Sequence, residues 1–104
     1  MARFDVFRHP DPKRRRHNPF FVSIQSDALD FLHTRVVVPL VAESAFGPRI
    51  PFLHPALTVE GQTVIAATNE LVAVECAVLG HVVANASTDA STLVSALDFL
   101  VSRY

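Results

Sequence analysis

The residues best equipped for chemistry in this chain are cations crowded into one stretch. Lys13, Arg14, Arg15 and Arg16 follow one another directly, and His17 extends the run. Pro12 and Pro19 bracket it, and proline both lacks a ladder N–H and restricts the residue before it, so the run is a loop between strands. Three readings are open. The cations are solvated and mutually repelling; or they dock an acidic partner, their guanidiniums forking onto carboxylates or phosphates; or they form a nucleic-acid or nuclear-localisation patch, for which no aromatic platform or DNA-binding motif is present. The whole chain carries 9 Lys and Arg against 10 Asp and Glu, a net charge of −1. There is therefore no global basic field, and any cationic role is local.

Other reactive side chains are scattered. His9, His17, His33, His54 and His81 fall at no metal-ligand spacing with a carboxylate or thiol, and read as surface or loop residues. Only Gly47, Gly61 and Gly80 are available, too few for a phosphate-cradling loop, and no serine sits in a nucleophile elbow. Asp27 and Asp30 lie three apart in a turn, the pattern of capping rather than of acid–base catalysis. Cys76 is the single cysteine, so no intrachain disulfide can form, and it reads as a small buried apolar residue. No catalytic site, metal or cofactor is expected.

These residues must be positioned by a sheet. Phe20, Val22 and Ile24 share one parity and Phe21, Ser23 and Gln25 the other, the alternation of a strand over residues 20–25 with one face buried. Val36, Val37 and Val38 are apolar on both parities, which predicts a central strand over 35–41 whose Pro39 marks an edge, a bulge or the strand's end. A first strand is expected over residues 3–8. Residues 43–55, with Gly47, Pro48, Pro51 and Pro55, form a long irregular connection. Residues 57–60 and 63–66 flank Gly61-Gln62 as a hairpin. Residues 71–79 read as a further strand, ended by Gly80. Leu93, Leu97, Leu100 and Tyr104, with Val94 and Val101, make the stripe of a C-terminal amphipathic helix capped by Ser87, Thr88 or Asp89.

At 104 residues the chain has room for one core, so residues 1–104 form a single domain. Half of its residues are hydrophobic and 18% are charged. That is apolar for a monomer and predicts surface covered by a partner. No apolar run approaches the ~20 residues of a membrane span and no signal-peptide segment opens the chain, so a cytosolic protein without a membrane partner is expected.

Phe4-Asp5-Val6-Phe7, then Phe21-Val22-Ser23-Ile24-Gln25-Ser26-Asp27, then Arg35-Val36-Val37-Val38-Pro39-Leu40 form a distinctive order. With Ala67-Thr68-Asn69-Glu70-Leu71, Val78-Leu79-Gly80 and Ala96-Leu97-Asp98-Phe99-Leu100-Val101, this order resembles the CcdB family of toxins from toxin–antitoxin modules. The resemblance covers nearly the whole chain and is weakest over residues 43–53. It implies a mainly β fold, an SH3-like antiparallel β-barrel with a C-terminal α-helix, assembled as a homodimer. It also implies an activity without catalysis: binding the A subunit of DNA gyrase and trapping its cleaved-DNA complex, with neutralisation by an acidic, disordered antitoxin. The end of the C-terminal helix is the family's gyrase-binding element, which places Ser102, Arg103 and Tyr104 in that role. In the best-known branch these positions are Trp-Gly-Ile, so this chain departs from the pattern there. The loop after the first strand contacts the antitoxin in the family, which assigns His9, Lys13, Arg14, Arg15 and Arg16 to that partner. The departure at the helix end leaves a second reading, a non-toxic module that acts with its antitoxin as a transcriptional co-repressor, with no direct DNA binding of its own.

Overall fold

Three strands rich in β-branched and aromatic residues form the middle of the sheet: β1 (Asp5–Arg8), β2 (Phe20–Ser23) and β3 (Thr34–Ala42). A computed structural model describes residues 1–102. Antiparallel register sets Val6 opposite Val22 and Val22 opposite Val38, a row of valines no more than 1% exposed. Beyond β3 come β4 (Ala56–Val59), β5 (Gln62–Ala66), β6 (Val72–Glu75) and β7 (Val82–Asn85). The strand order is β4-β5-β3-β2-β1-β7, with β6 also paired to β3, and every pairing is antiparallel. The sheet curls into a half-barrel consistent with an SH3-like barrel. Its inner face buries Phe4, Val6, Phe20, Val22, Val38, Leu40, Leu57 and Val64.

The helix α1 (Ala90–Val101) covers this core with Leu93 and Ala96 buried and Val94 and Leu97 half-buried. Leu93, Val94 and Leu97 of the expected stripe therefore pack and Leu100 is half-buried, whereas Val101 is 74% exposed, contrary to expectation, and Tyr104 lies outside the described residues. The helix's capping differs from expectation, because Asp89 makes no side-chain cap bond. Instead the Asn85 side-chain oxygen accepts the Ser87 N–H at 2.9 Å, starting a single 3₁₀ turn, Ser87–Asp89, that runs straight into the helix.

Pro39 lies inside β3, not at an edge or end. The first half of β3 pairs with β6 through Val37, the second half with β5 from Leu40 onward. Pro39 sits between the two partners, and its missing N–H falls where no ladder bond is required.

Four further expectations are corrected. The outer face of β2 is buried as well, because Phe7, Phe21, Val37 and Leu79 form a second small core beneath residues 74–79. In that layer Gln25 continues the β2–β3 ladder with its side chain, accepting the Val36 N–H at 3.0 Å and donating to Thr34 O at 3.2 Å. The strand expected over 71–79 stops at Glu75 and passes into a 3₁₀ turn, Cys76–Val78, after which β7 forms where no strand was expected. The hairpin turn is Glu60-Gly61, both at positive φ (51° and 77°), one residue earlier than expected. Cys76 is half-buried rather than buried.

Candidate functional site

Two surfaces carry the residues singled out above, and each is built on a loop held by a buried histidine. The first is the turn between β1 and β2. Its backbone closes on itself: the Arg14 N–H donates to Asp11 O at 3.0 Å, the Asn18 N–H to Arg14 O at 2.8 Å, and the Lys13 N–H to the Asp11 carboxylate at 3.0 Å. His9 lies in the loop, as expected, but is buried there, 8% exposed. Its ring packs on Phe21 with centroids 4.8 Å apart, its Nδ1 accepts the Asp11 N–H at 3.0 Å, and its carbonyl accepts Arg15 Nε–H at 2.7 Å. Burial pushes the His9 imidazole below its ordinary value; Asp11 opposes this, and Arg14 and Arg15 add to it. A neutral ring with Nδ1 as acceptor suits the hydrogen bond it makes.

The consequence is a fixed cationic rim. Lys13, Arg14 and Arg16 are exposed, and Arg15 is half-buried with its Nε anchored. Among the described residues none of the four takes part in an ion pair, whereas Arg8 on β1 pairs with Glu60 at 3.1 Å.

The second surface joins the connection after β3 to the outer face of α1. His54 likewise lies in a loop but is buried, 6% exposed. Its Nδ1 accepts the Ile50 N–H at 2.9 Å, its Nε2 lies 2.7 Å from Asn69 Oδ1, and its carbonyl accepts both Nε–H and Nη2–H of Arg49 at 3.2 and 3.0 Å. Held this way, the loop presents Phe52 to solvent, 78% exposed and at φ +71°, a backbone region that bulky residues rarely occupy. Its ring centroid is 6.2 Å from that of Phe99, itself half-exposed on α1. With Ser95, Asp98 and Ser102 they line an open groove of about 480 Å³. Ser102 closes the helix, donating its N–H to Asp98 O at 2.7 Å. Arg103 and Tyr104, assigned to the same end, lie outside the described residues. Sequence reasoning missed Phe52 and Phe99, since exposure within a proline-rich loop leaves no periodic signal.

A third arrangement lies at the start of β3. Arg35 on β3 is buried, with a side chain 2% exposed, and its Nη2–H donates to Asp30 at 2.6 Å. That hydrogen bond, more than any other influence, holds the Asp30 carboxyl below and the Arg35 guanidinium above their ordinary values. The capping expected of Asp27 and Asp30 is not what they do. Asp27 accepts the Arg3 N–H at 2.8 Å, and the cap of that turn is Ser26.

Among the described residues no group of three or more His, Cys, Asp or Glu side chains could hold a metal ion, and no helix is long and apolar enough to cross a membrane. What the geometry offers is binding: a small curled sheet presenting a pinned cationic loop on one side and an aromatic helix end on another. A comparison with curated proteins gave no match. The family model for the CcdB protein matches residues 3–102, and the chain belongs to the CcdB family. Membership places it in general among the toxins of toxin–antitoxin modules.

Proposed function

We propose that this protein is a toxin that binds the A subunit of DNA gyrase and traps the cleaved-DNA complex, and that an acidic, disordered antitoxin neutralises it. The observation that carries the reading is the family match over residues 3–102. Poisoning of this kind is differential binding. A toxin that holds the cleaved conformation more tightly than the resealed one shifts the population toward breaks, without chemistry of its own.

The target-binding residues are Ser102, Arg103 and Tyr104, of which Ser102 lines the groove beside the Phe52–Phe99 pair. The antitoxin site is the loop of Lys13, Arg14, Arg15 and Arg16, whose shape His9 maintains. The toxin works as a homodimer in the cytoplasm, which suits the exposed Phe31 and Val72. Titrating purified gyrase A subunit into the protein tests the reading, and saturable binding weakened by Tyr104→Ala is the expected result.

The Ser-Arg-Tyr ending favours one alternative, a non-toxic module that acts with its antitoxin as a transcriptional co-repressor. In that case antitoxin binds tightly and gyrase A subunit does not bind.

A further inference from the structure

Beside the cationic loop lies a groove of about 370 Å³ that neither the charge run nor the family assignment predicts. Its lining includes the cationic Arg8 and Arg15, His81, and the apolar Pro10, Val78 and Val83. Both guanidiniums are fixed before any partner arrives, Arg15 by the His9 carbonyl and Arg8 by Glu60. Prepositioned guanidiniums lose less side-chain freedom on binding a carboxylate than free ones do. The groove also flanks β7, the last strand of the sheet order, which among the described residues pairs with β1 alone. The open backbone edge of such a strand is a template for an extended segment.

We infer that this groove is a specificity pocket for an extended acidic peptide, taking one aliphatic or aromatic side chain between Val78 and Val83 while flanking carboxylates meet Arg8, Arg15 and the exposed Lys13, Arg14 and Arg16. The inference rests on the reading of the loop as an acidic partner's site and adds to it a requirement for an apolar residue. Charge complementarity selects the occupant. Cations alone would suit phosphates equally well, but a half-apolar wall is wasted on a phosphate backbone and is filled by a side chain.

Gly80 supplies a clean test, because a Cβ there meets no atom within 4 Å. Gly80→Leu fills the pocket while leaving the core and every arginine in place. The probes are two fluorescein-labelled peptides, a glutamate-rich peptide with one central leucine and its twin with serine instead, titrated into the full-length protein at low salt. The leucine peptide should bind about tenfold or more tighter than the serine peptide, and Gly80→Leu should erase that difference.

Equal binding of both peptides, lost on replacing Arg14, Arg15 and Arg16 with Ala, would overturn the pocket and leave the acidic-partner reading standing. Failure of both peptides to bind would overturn both. Preference for a labelled DNA duplex over the leucine peptide would assign the surface to nucleic acid, and a halved mass of Gly80→Leu in solution would assign the groove to a second copy of the chain; either result contradicts the proposal.

Discussion

The two loops that frame the candidate surfaces use one device for opposite ends. In each a buried histidine packs against a phenylalanine, at 4.8 Å for His9 and Phe21 and 4.9 Å for His54 and Phe46. In each Nδ1 accepts a backbone N–H of the loop, and the histidine carbonyl is clamped by an arginine, Arg15 in one and Arg49 in the other. What they display differs: the first leaves cations free, the second a phenylalanine in strained backbone. The difference shows that a histidine without a ligand role can still be decisive, by fixing the shape of a loop whose other residues make the contacts. Fixed charges serve a flexible acidic partner, and fixed aromatic surface serves a folded one, because the ordering cost falls on the partner in the first case and has to be small in the second.

The largest perturbation should abolish both surfaces at once. Leu93 is 2% exposed in the shared core, so Leu93→Asp, a buried unpaired charge, should cost ~4 kcal/mol or more and remove both binding activities together. Loss of only one in urea-denaturation and binding assays would mean that the loops fold independently of α1.

His54→Ala should come next, at about 2–3 kcal/mol, since it removes the acceptor of the Ile50 N–H and empties the space of a buried ring. It should weaken target binding while sparing acidic peptide, which separates the two loops directly.

Replacing Arg14, Arg15 and Arg16 with Ala should do the reverse. Antitoxin affinity should fall about tenfold or more at low salt, with the effect shrinking as salt rises, and gyrase binding should stay intact. Equal effects on both partners would contradict separate surfaces. Phe52→Ala should change stability by no more than about 0.5 kcal/mol, because the ring is exposed, and yet reduce target binding.

The smallest effect is in pH. Because the folded His9 sits below its ordinary value of 6.5, the unfolded chain takes up a proton first as pH falls. The unfolded state therefore binds more protons in that window, and stability should decline below about pH 6.5 until the folded ring is protonated too. Urea midpoints followed from neutral to mildly acid pH should show a shallower decline in His9→Gln than in the natural protein.

The sheet centre was legible in the sequence because Phe20, Val22 and Ile24 alternate and Val36, Val37 and Val38 do not, two patterns with one meaning each. Its second core was not. Phe21 shares the parity of Ser23 and Gln25, which looks solvent-facing, and its cover includes Val74 and Leu79, more than fifty residues away, brought near by pairing of β6 with β3. Strand β7, Val82-Val83-Ala84-Asn85, shows no alternation and follows the Gly80 read as a strand end, and Pro39 reads as a strand breaker unless the change of partner beside it is known. At the candidate site the charges were visible as a run and the helix end as a stripe. The buried histidines were not, since a lone histidine just before a proline, Pro10 or Pro55, carries no sign of whether its ring turns in or out. The Phe52–Phe99 pair was hidden because it joins an irregular loop to a helix face that the stripe leaves exposed.

DNA cleavage by purified gyrase, measured on supercoiled plasmid with and without the folded protein, tests the central proposal most directly. Accumulation of linear, protein-linked DNA that acidic antitoxin prevents is the predicted result. Unchanged supercoiling and no trapped breaks, from protein that still binds acidic peptide, would contradict gyrase poisoning and favour the co-repressor module.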